Sequence, residues 1–129
     1  MRFTAFHKRL NFIDEKGDRM GRKILLDGVP VSKGEALGKA RVIKEAEDLE
    51  LVGPGEILVL PNSHPMYALA VMKAAGIICE AGGMLSHICI VSLEMGLPCI
   101  TKAKGATASI KNGDIVFLDA ENGKVYIDE

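Results

Sequence analysis

Ile77-Ile78-Cys79-Glu80-Ala81-Gly82-Gly83-Met84-Leu85-Ser86-His87, continued through residues 88–95 and stopped by Gly96-Leu97-Pro98, is the stretch that decides how this chain folds. Ile77-Ile78-Cys79 is a short apolar run of the kind that forms a buried strand. Gly82-Gly83 interrupts it. Residues 86–95 then have good helix propensity, and Gly96 with Pro98 two positions on is the expected end of a helix. Strand, glycine turn and helix in this order make a β–α unit. The glycines let backbone N–H groups approach an anion closely, and the positive end of the helix lies where those groups are unpaired. His87 stands in the first turn of this helix. Imidazole has a reference pKa of about 6.5, so near neutrality a large fraction carries a free nitrogen lone pair and is nucleophilic. A nucleophilic histidine beside an anion site points to phosphoryl acceptance, with Gly82, Gly83 and Ser86 as candidates for holding the transferred group. On these residues alone, a helix cap or a half-buried polar histidine is the commoner reading of such a position.

Outward from this unit the pattern stays α/β. Glu56-Ile57-Leu58-Val59-Leu60 is a second buried strand, entered from Gly53-Pro54-Gly55 and left through Pro61-Asn62-Ser63. Pro65 suits the first turn of a helix, with Ser63 or His64 as its cap, and the apolar residues 66–75 extend that helix to Gly76. Towards the N-terminus, Ile24-Leu25-Leu26 is a short strand. Residues 28–34 are a turn or a bulged strand, and residues 36–43 a further strand. Towards the C-terminus, Cys99-Ile100 begins a strand, Lys111-Asn112-Gly113-Asp114 is a turn, and residues 115–118 form a strand. Glu121-Asn122-Gly123-Lys124 is a hairpin turn leading into Val125-Tyr126-Ile127. One domain therefore spans residues 24–129. Residues 1–23, with Phe3, Phe6, Leu10 and Phe12 ahead of the charged run 14–19, read as an N-terminal extension or arm.

Composition restricts what such a domain does. At 129 residues the chain holds one sizeable core, and 48% apolar with 26% charged residues is an ordinary globular balance. Sixteen Lys and Arg nearly cancel seventeen Asp and Glu, so no net field draws the chain to nucleic acid or to an anionic membrane. No apolar run approaches the roughly 18 residues of a membrane span, and no signal peptide is recognisable. Cys79, Cys89 and Cys99 are odd in number and lie in apolar surroundings, which suits buried thiols and a reducing cytoplasm. Cys79, His87 and Cys89 make a poor metal set. His87 and Cys89, two apart on a helix, point to different faces, and no fourth ligand offers itself.

Read as a whole, residues 82–100 resemble the signature of the mobile, swivelling phosphohistidine domain of phosphoenolpyruvate-utilising enzymes. That family includes phosphoenolpyruvate synthase, pyruvate phosphate dikinase and enzyme I of the sugar phosphotransferase system. Its pattern runs Gly-Gly, two or three variable positions, His, small and apolar residues, Ala-Arg-Glu, then Leu-Gly-Ile-Pro-Ala-Val. The resemblance extends to the opening segment 31–42, to Gly53-Pro54-Gly55-Glu56-Ile57-Leu58-Val59, and to the closing hairpin up to Tyr126. It implies a three-layer β/β/α swivelling domain. It also implies that His87 is the phosphorylated histidine, that Gly82 and Gly83 are the glycine pair, and that Glu94, Gly96 and Pro98 end the helix. Leu85 stands where many members have threonine, and Leu93 where they have arginine, which removes a fixed cation with its fork of donors.

The implied activity is that of a phosphotransferase component, incomplete as an enzyme by itself. Cofactors are expected only on partners: a Mg-nucleotide or phosphoenolpyruvate bound by separate nucleotide-binding or phosphoenolpyruvate-binding subunits, with none in this chain and no Gly-x-x-x-x-Gly-Lys-Ser/Thr loop. The alternative is a non-catalytic module of the same fold that binds a ligand or partner at the glycine loop. A mobile subunit of an aconitase-like dehydratase shares the fold but lacks the Gly-Gly-x-x-Ser-His segment.

Overall fold

Eight strands and three short helices make up residues 22–128, the part of the chain that this computed structural model describes. The strands are β1 (Arg22–Asp27), β2 (Val29–Ser32), β3 (Glu35–Val42), β4 (Ile57–Leu60), β5 (Gly76–Cys79), β6 (Cys99–Thr101), β7 (Ile115–Asp119) and β8 (Lys124–Asp128). The helices are α1 (Ala68–Val71), α2 (His87–Met95) and α3 (Ala106–Ser109), with 3₁₀ turns at Ala46–Leu51 and Pro65–Tyr67. The arm at residues 1–23 lies outside the described residues except for its last two, Arg22 and Lys23, which begin β1.

The strand order is β1-β8-β7-β3-β4-β5-β6-β2. β3 belongs to two layers. Its first part, Glu35 to Lys39, pairs antiparallel with β7, whereas Ala40, Arg41 and Val42 pair parallel with Ile57, Leu58 and Val59 of β4. β4, β5 and β6 are parallel neighbours, so their C-terminal ends emerge at one edge. β1 and β2 lie at opposite ends of the order, on β8 and β6, although only Gly28 separates them in the chain. The sheet must therefore fold over on itself. Gly28 N–H donates to the Gly123 carbonyl at 2.8 Å, where the two layers meet.

Alternation along the parallel strands sorts side chains into two cores. Ile57, Val59, Ile78 and Ile100 pack against Val116, Leu118 and Val125 of the antiparallel layer. Leu58, Leu60, Ile77 and Cys99 pack against Tyr67, Val71, Ile88 and Cys89 of the helical layer. This gives the three-layer β/β/α arrangement. Burial on both faces explains why β4 and β5 read as unbroken apolar runs. Each Ile or Leu fully buried here contributes about 1.5–3 kcal/mol relative to exposure.

Within residues 28–34 only Val29–Ser32 form a strand, with an irregular register between Pro30 and Ser32, in keeping with the bulged-strand reading. The helix expected from Pro65 to residue 75 is shorter. After Val71 the N–H groups of Lys73 and Ala74 turn to carbonyls three residues back, Gly55 N–H takes the Lys73 carbonyl, and Ala75 N–H donates to Glu56. The entry to β4 thus captures the backbone that would have continued the helix. α3 and the turn at Ala46–Leu51 were not anticipated. Ala-Thr-Ala-Ser carries no apolar period, and a single turn is held by packing more than by propensity.

Candidate functional site

Three loops meet at the C-terminal edge of the parallel strands, the usual place for a ligand in such sheets. After β4 comes Pro61-Asn62-Ser63-His64, after β5 the glycine loop, and after β6 Lys102-Ala103-Lys104-Gly105. The glycine loop is fixed from both sides. Gly82 takes a φ of +134°, and a Cβ there would stand 3.1 Å from Ser63 Cβ and 3.2 Å from Ser86 Oγ. Its carbonyl accepts from Thr101 Oγ1 at 2.7 Å, from a threonine that is wholly buried. The Gly83 carbonyl accepts twice from Ser86, through the backbone N–H at 3.0 Å and the hydroxyl at 2.5 Å.

α2 starts where this loop ends. Ser86 is the N-cap in extended conformation, but its own side chain does not cap the helix. That role falls to Ser63, whose Oγ accepts from Ile88 N–H at 2.9 Å across 25 residues of chain. His87 is the first residue of α2 and is exposed. The nine-residue helix directs its positive end at this position, and no acidic side chain lies in its first turn. At the far end Gly96 and Leu97 N–H groups return to Leu93 and Ser92, closing the helix as its sequence indicated.

Deeper support surrounds the loop. Glu80, just past β5, accepts from both the N–H and the hydroxyl of Thr107 at 2.8 and 2.7 Å, bonds that lower its carboxyl pKa and tie the loop to α3. All three cysteines are buried. The Cys99 thiol donates to the Ile100 carbonyl at 3.8 Å, and its mutual interaction with the Cys89 side chain pushes the Cys89 thiol down and the Cys99 thiol up. Cys79 is pushed up to about 11, first of all by burial. Among the described residues no three His, Cys, Asp or Glu side chains gather as a metal site requires.

His87, Gly82, Gly83 and Ser86, singled out from the sequence, thus share one loop and helix start. His64 sits on the adjoining loop, where its Nδ1 accepts from Met66 N–H at 3.0 Å and caps the 3₁₀ turn at Pro65–Tyr67. Its Nε2 then carries the hydrogen of the neutral ring. Ser32 pairs with Cys99 at the start of β6, at the opposite end of that strand from Thr101. Sequence reasoning did not find Ser63 and Thr101 as supports of the loop. The available signal was their shared place just after, or at the end of, parallel strands.

The fold and the sequence have known relatives. Aconitase X of Thermococcus kodakaraensis superposes with a TM-score of 0.62 at 18% identity, over 81% of this chain and 98% of that one. Enzyme I (nEIt) superposes with a TM-score of 0.54 at 21% identity, over 62% of this chain and 33% of that one. At such identities these likenesses concern the fold alone. By sequence, a probable phosphoenolpyruvate synthase of Methanothermobacter thermautotrophicus is 36% identical over 112 residues, which are 87% of this chain and 16% of that protein. The chain therefore spans about a sixth of that relative. The family model for the mobile domain of phosphoenolpyruvate-utilising enzymes matches residues 52–123, from the approach to β4 through the glycine loop, α2 and the β7–β8 turn. With more than half of its length matched in this way, the chain belongs to the family of the mobile domain of phosphoenolpyruvate-utilising enzymes.

Proposed function

We propose that His87 accepts a phosphoryl group from a phosphoenolpyruvate- or nucleotide-using partner and passes it on to a second acceptor. The observation that carries this reading is the exposed His87 at the start of α2, directly after the Gly82-Gly83 loop, in a member of this family. A ring nitrogen attacks phosphorus, the bond from phosphorus to the donor oxygen breaks, and the donor leaves with that electron pair. The imidazole proton goes to solvent or to the partner. Backbone N–H groups at the start of α2 face the developing charge, and Ser86 turns its hydroxyl from the Gly83 carbonyl to a phosphoryl oxygen. The phosphoenolpyruvate or the Mg-nucleotide belongs to partner domains, which the relatives' greater length accommodates.

The test is incubation with labelled phosphoenolpyruvate or ATP in the presence of a family partner, followed by assay for acid-labile, alkali-stable phosphate. Wild type is expected to take up label and His87→Ala none, with no change in folding. A second reading is a ligand- or partner-binding module of the same fold. Leu85 and Leu93, 85% and 58% exposed, favour it, since they present hydrocarbon where many family members have a threonine and an arginine. A folded wild-type protein that takes no label from any donor would establish that second reading.

A further inference from the structure

Lys102 is the one residue other than glycine, among the described residues, with a positive φ, at 56°. The left-handed region brings Cβ against the following carbonyl, so a lysine there is strained where a glycine is not. Its neighbours allow it no escape. Thr101 is wholly buried and bonded to the Gly82 carbonyl, and Ala103 N–H donates to the Cys79 carbonyl at 3.1 Å. Lys102 is thus clamped between two contacts with the segment leaving β5, on the edge where His87 stands.

Packing does not explain the lysine. Its side chain is exposed, and it makes no ion pair within the described residues. Strain kept in place without a packing return marks a functional position. The surrounding charges indicate which function. The first turn of α2 has no acidic residue, and Glu80, the nearest carboxylate in the loop, is turned onto Thr107. A phosphoryl group carries a charge of about −1.5 to −2, against roughly +0.5 from a helix N-terminus. Leu85 and Leu93 on the flanks add no cation.

We propose that Lys102 supplies the missing charge, its ammonium pairing with the oxygens of the phosphoryl group on His87. The proposal rests on the phosphoryl-carrier reading and adds to it a binding residue from a different loop. A flexible stem carrying a compact cation suits a group that must hold the phosphoryl and later release it.

Phosphoramidate tests this without any partner protein. Its N–P bond breaks as a new N–P bond forms to the imidazole, and ammonia leaves with the ring proton. The rate of phosphohistidine formation is followed by phosphorus NMR in wild type, Lys102→Gly, Lys102→Met and Lys102→Arg, with thermal unfolding recorded for each. Loss of a charge-assisted contact predicts about tenfold slower phosphorylation for Lys102→Gly and Lys102→Met, while Lys102→Arg stays within about threefold of wild type. Lys102→Gly is also expected to melt at a higher temperature than wild type, because the strain is gone, whereas Lys102→Met is not. Wild-type rates in both charge-removing variants would overturn the role of Lys102 and leave the carrier reading intact. If wild type is phosphorylated neither by phosphoramidate nor by labelled phosphoenolpyruvate or ATP with a family partner, the carrier reading fails, and titration with inorganic phosphate decides for Lys102. Binding several-fold weaker in Lys102→Met supports the role, and equal binding overturns it.

Discussion

Gly82 shows how much of the site depends on one missing atom. At φ +134° with Ser63 and Ser86 on either side, a methyl group has neither the backbone region nor the space it needs. Gly82→Ala is expected to lower stability by about 1–3 kcal/mol, read as a lower urea midpoint at unchanged slope. Cys79 makes a different prediction. Its thiol ionises at 9.0 in the reference state and is pushed up to about 11 in the fold, mainly by burial. A pKa raised by folding contributes stability that is complete below the unfolded value and is lost as pH rises through the folded one. The protein should therefore lose on the order of 2 kcal/mol from this group between about pH 9 and pH 11. Urea midpoints in wild type should fall across that window, and by less in Cys79→Ala.

At the scale of elements, α2 is held at its N-terminal end by a residue that does not belong to it. Ser63, in the loop after β4, accepts the Ile88 N–H, and so aligns the start of the helix with the neighbouring strand end. Removing a capping hydroxyl typically costs about 1 kcal/mol. Ser63→Ala should show that loss in denaturant unfolding. Hydrogen exchange should quicken at the first N–H groups of α2 and stay unchanged towards Met95. Ser86→Ala should leave those N–H groups protected, because its hydroxyl serves the Gly83 carbonyl and not the helix. The arrangement separates two jobs at the helix start: Ser63 secures it, and Ser86 shapes the loop.

The whole molecule depends on the closure of its folded-over sheet. β1 and β2 are continuous through Gly28 yet sit on strands at opposite ends of the order, and Gly28 meets Gly123 of the β7–β8 turn. At Gly123, with φ +71°, a Cβ would lie 2.2 Å from the Gly28 carbonyl oxygen, a backbone atom that cannot rotate away. Gly123→Ala should therefore destabilise the protein by more than about 3 kcal/mol, enough to unfold a marginal domain at moderate temperature. Circular dichroism melting should show this, and Gly83→Ala, where a Cβ meets nothing within 4 Å, is the comparison. The same fold carries aconitase X, so architecture does not select the chemistry. Under the proposed function, selection would lie in the glycine loop and His87.

Signals carried by adjacent residues were legible in the sequence. The strand–glycine–helix unit at 77–98, its closing Gly96, the buried run of β4 and the β7–β8 hairpin are each written in a few contiguous positions, because caps, turns and alternation act over one to four residues. For that reason the loop holding His87, Gly82, Gly83 and Ser86 was recognisable before any coordinates. The helix after Pro65 was overestimated, since its propensity yielded to hydrogen bonds from the entry of β4. Only the tertiary structure decided which side chains secure the loop. Ser63 reaches Ile88 across 25 residues and Thr101 reaches Gly82 across 19, and no local pattern encodes either. The strained Lys102 and the closure at Gly28 and Gly123 belong with them. Each exists only because strands distant in sequence are brought to one edge, where burial and hydrogen-bond pairing across the sheet set positions that the residues alone leave open.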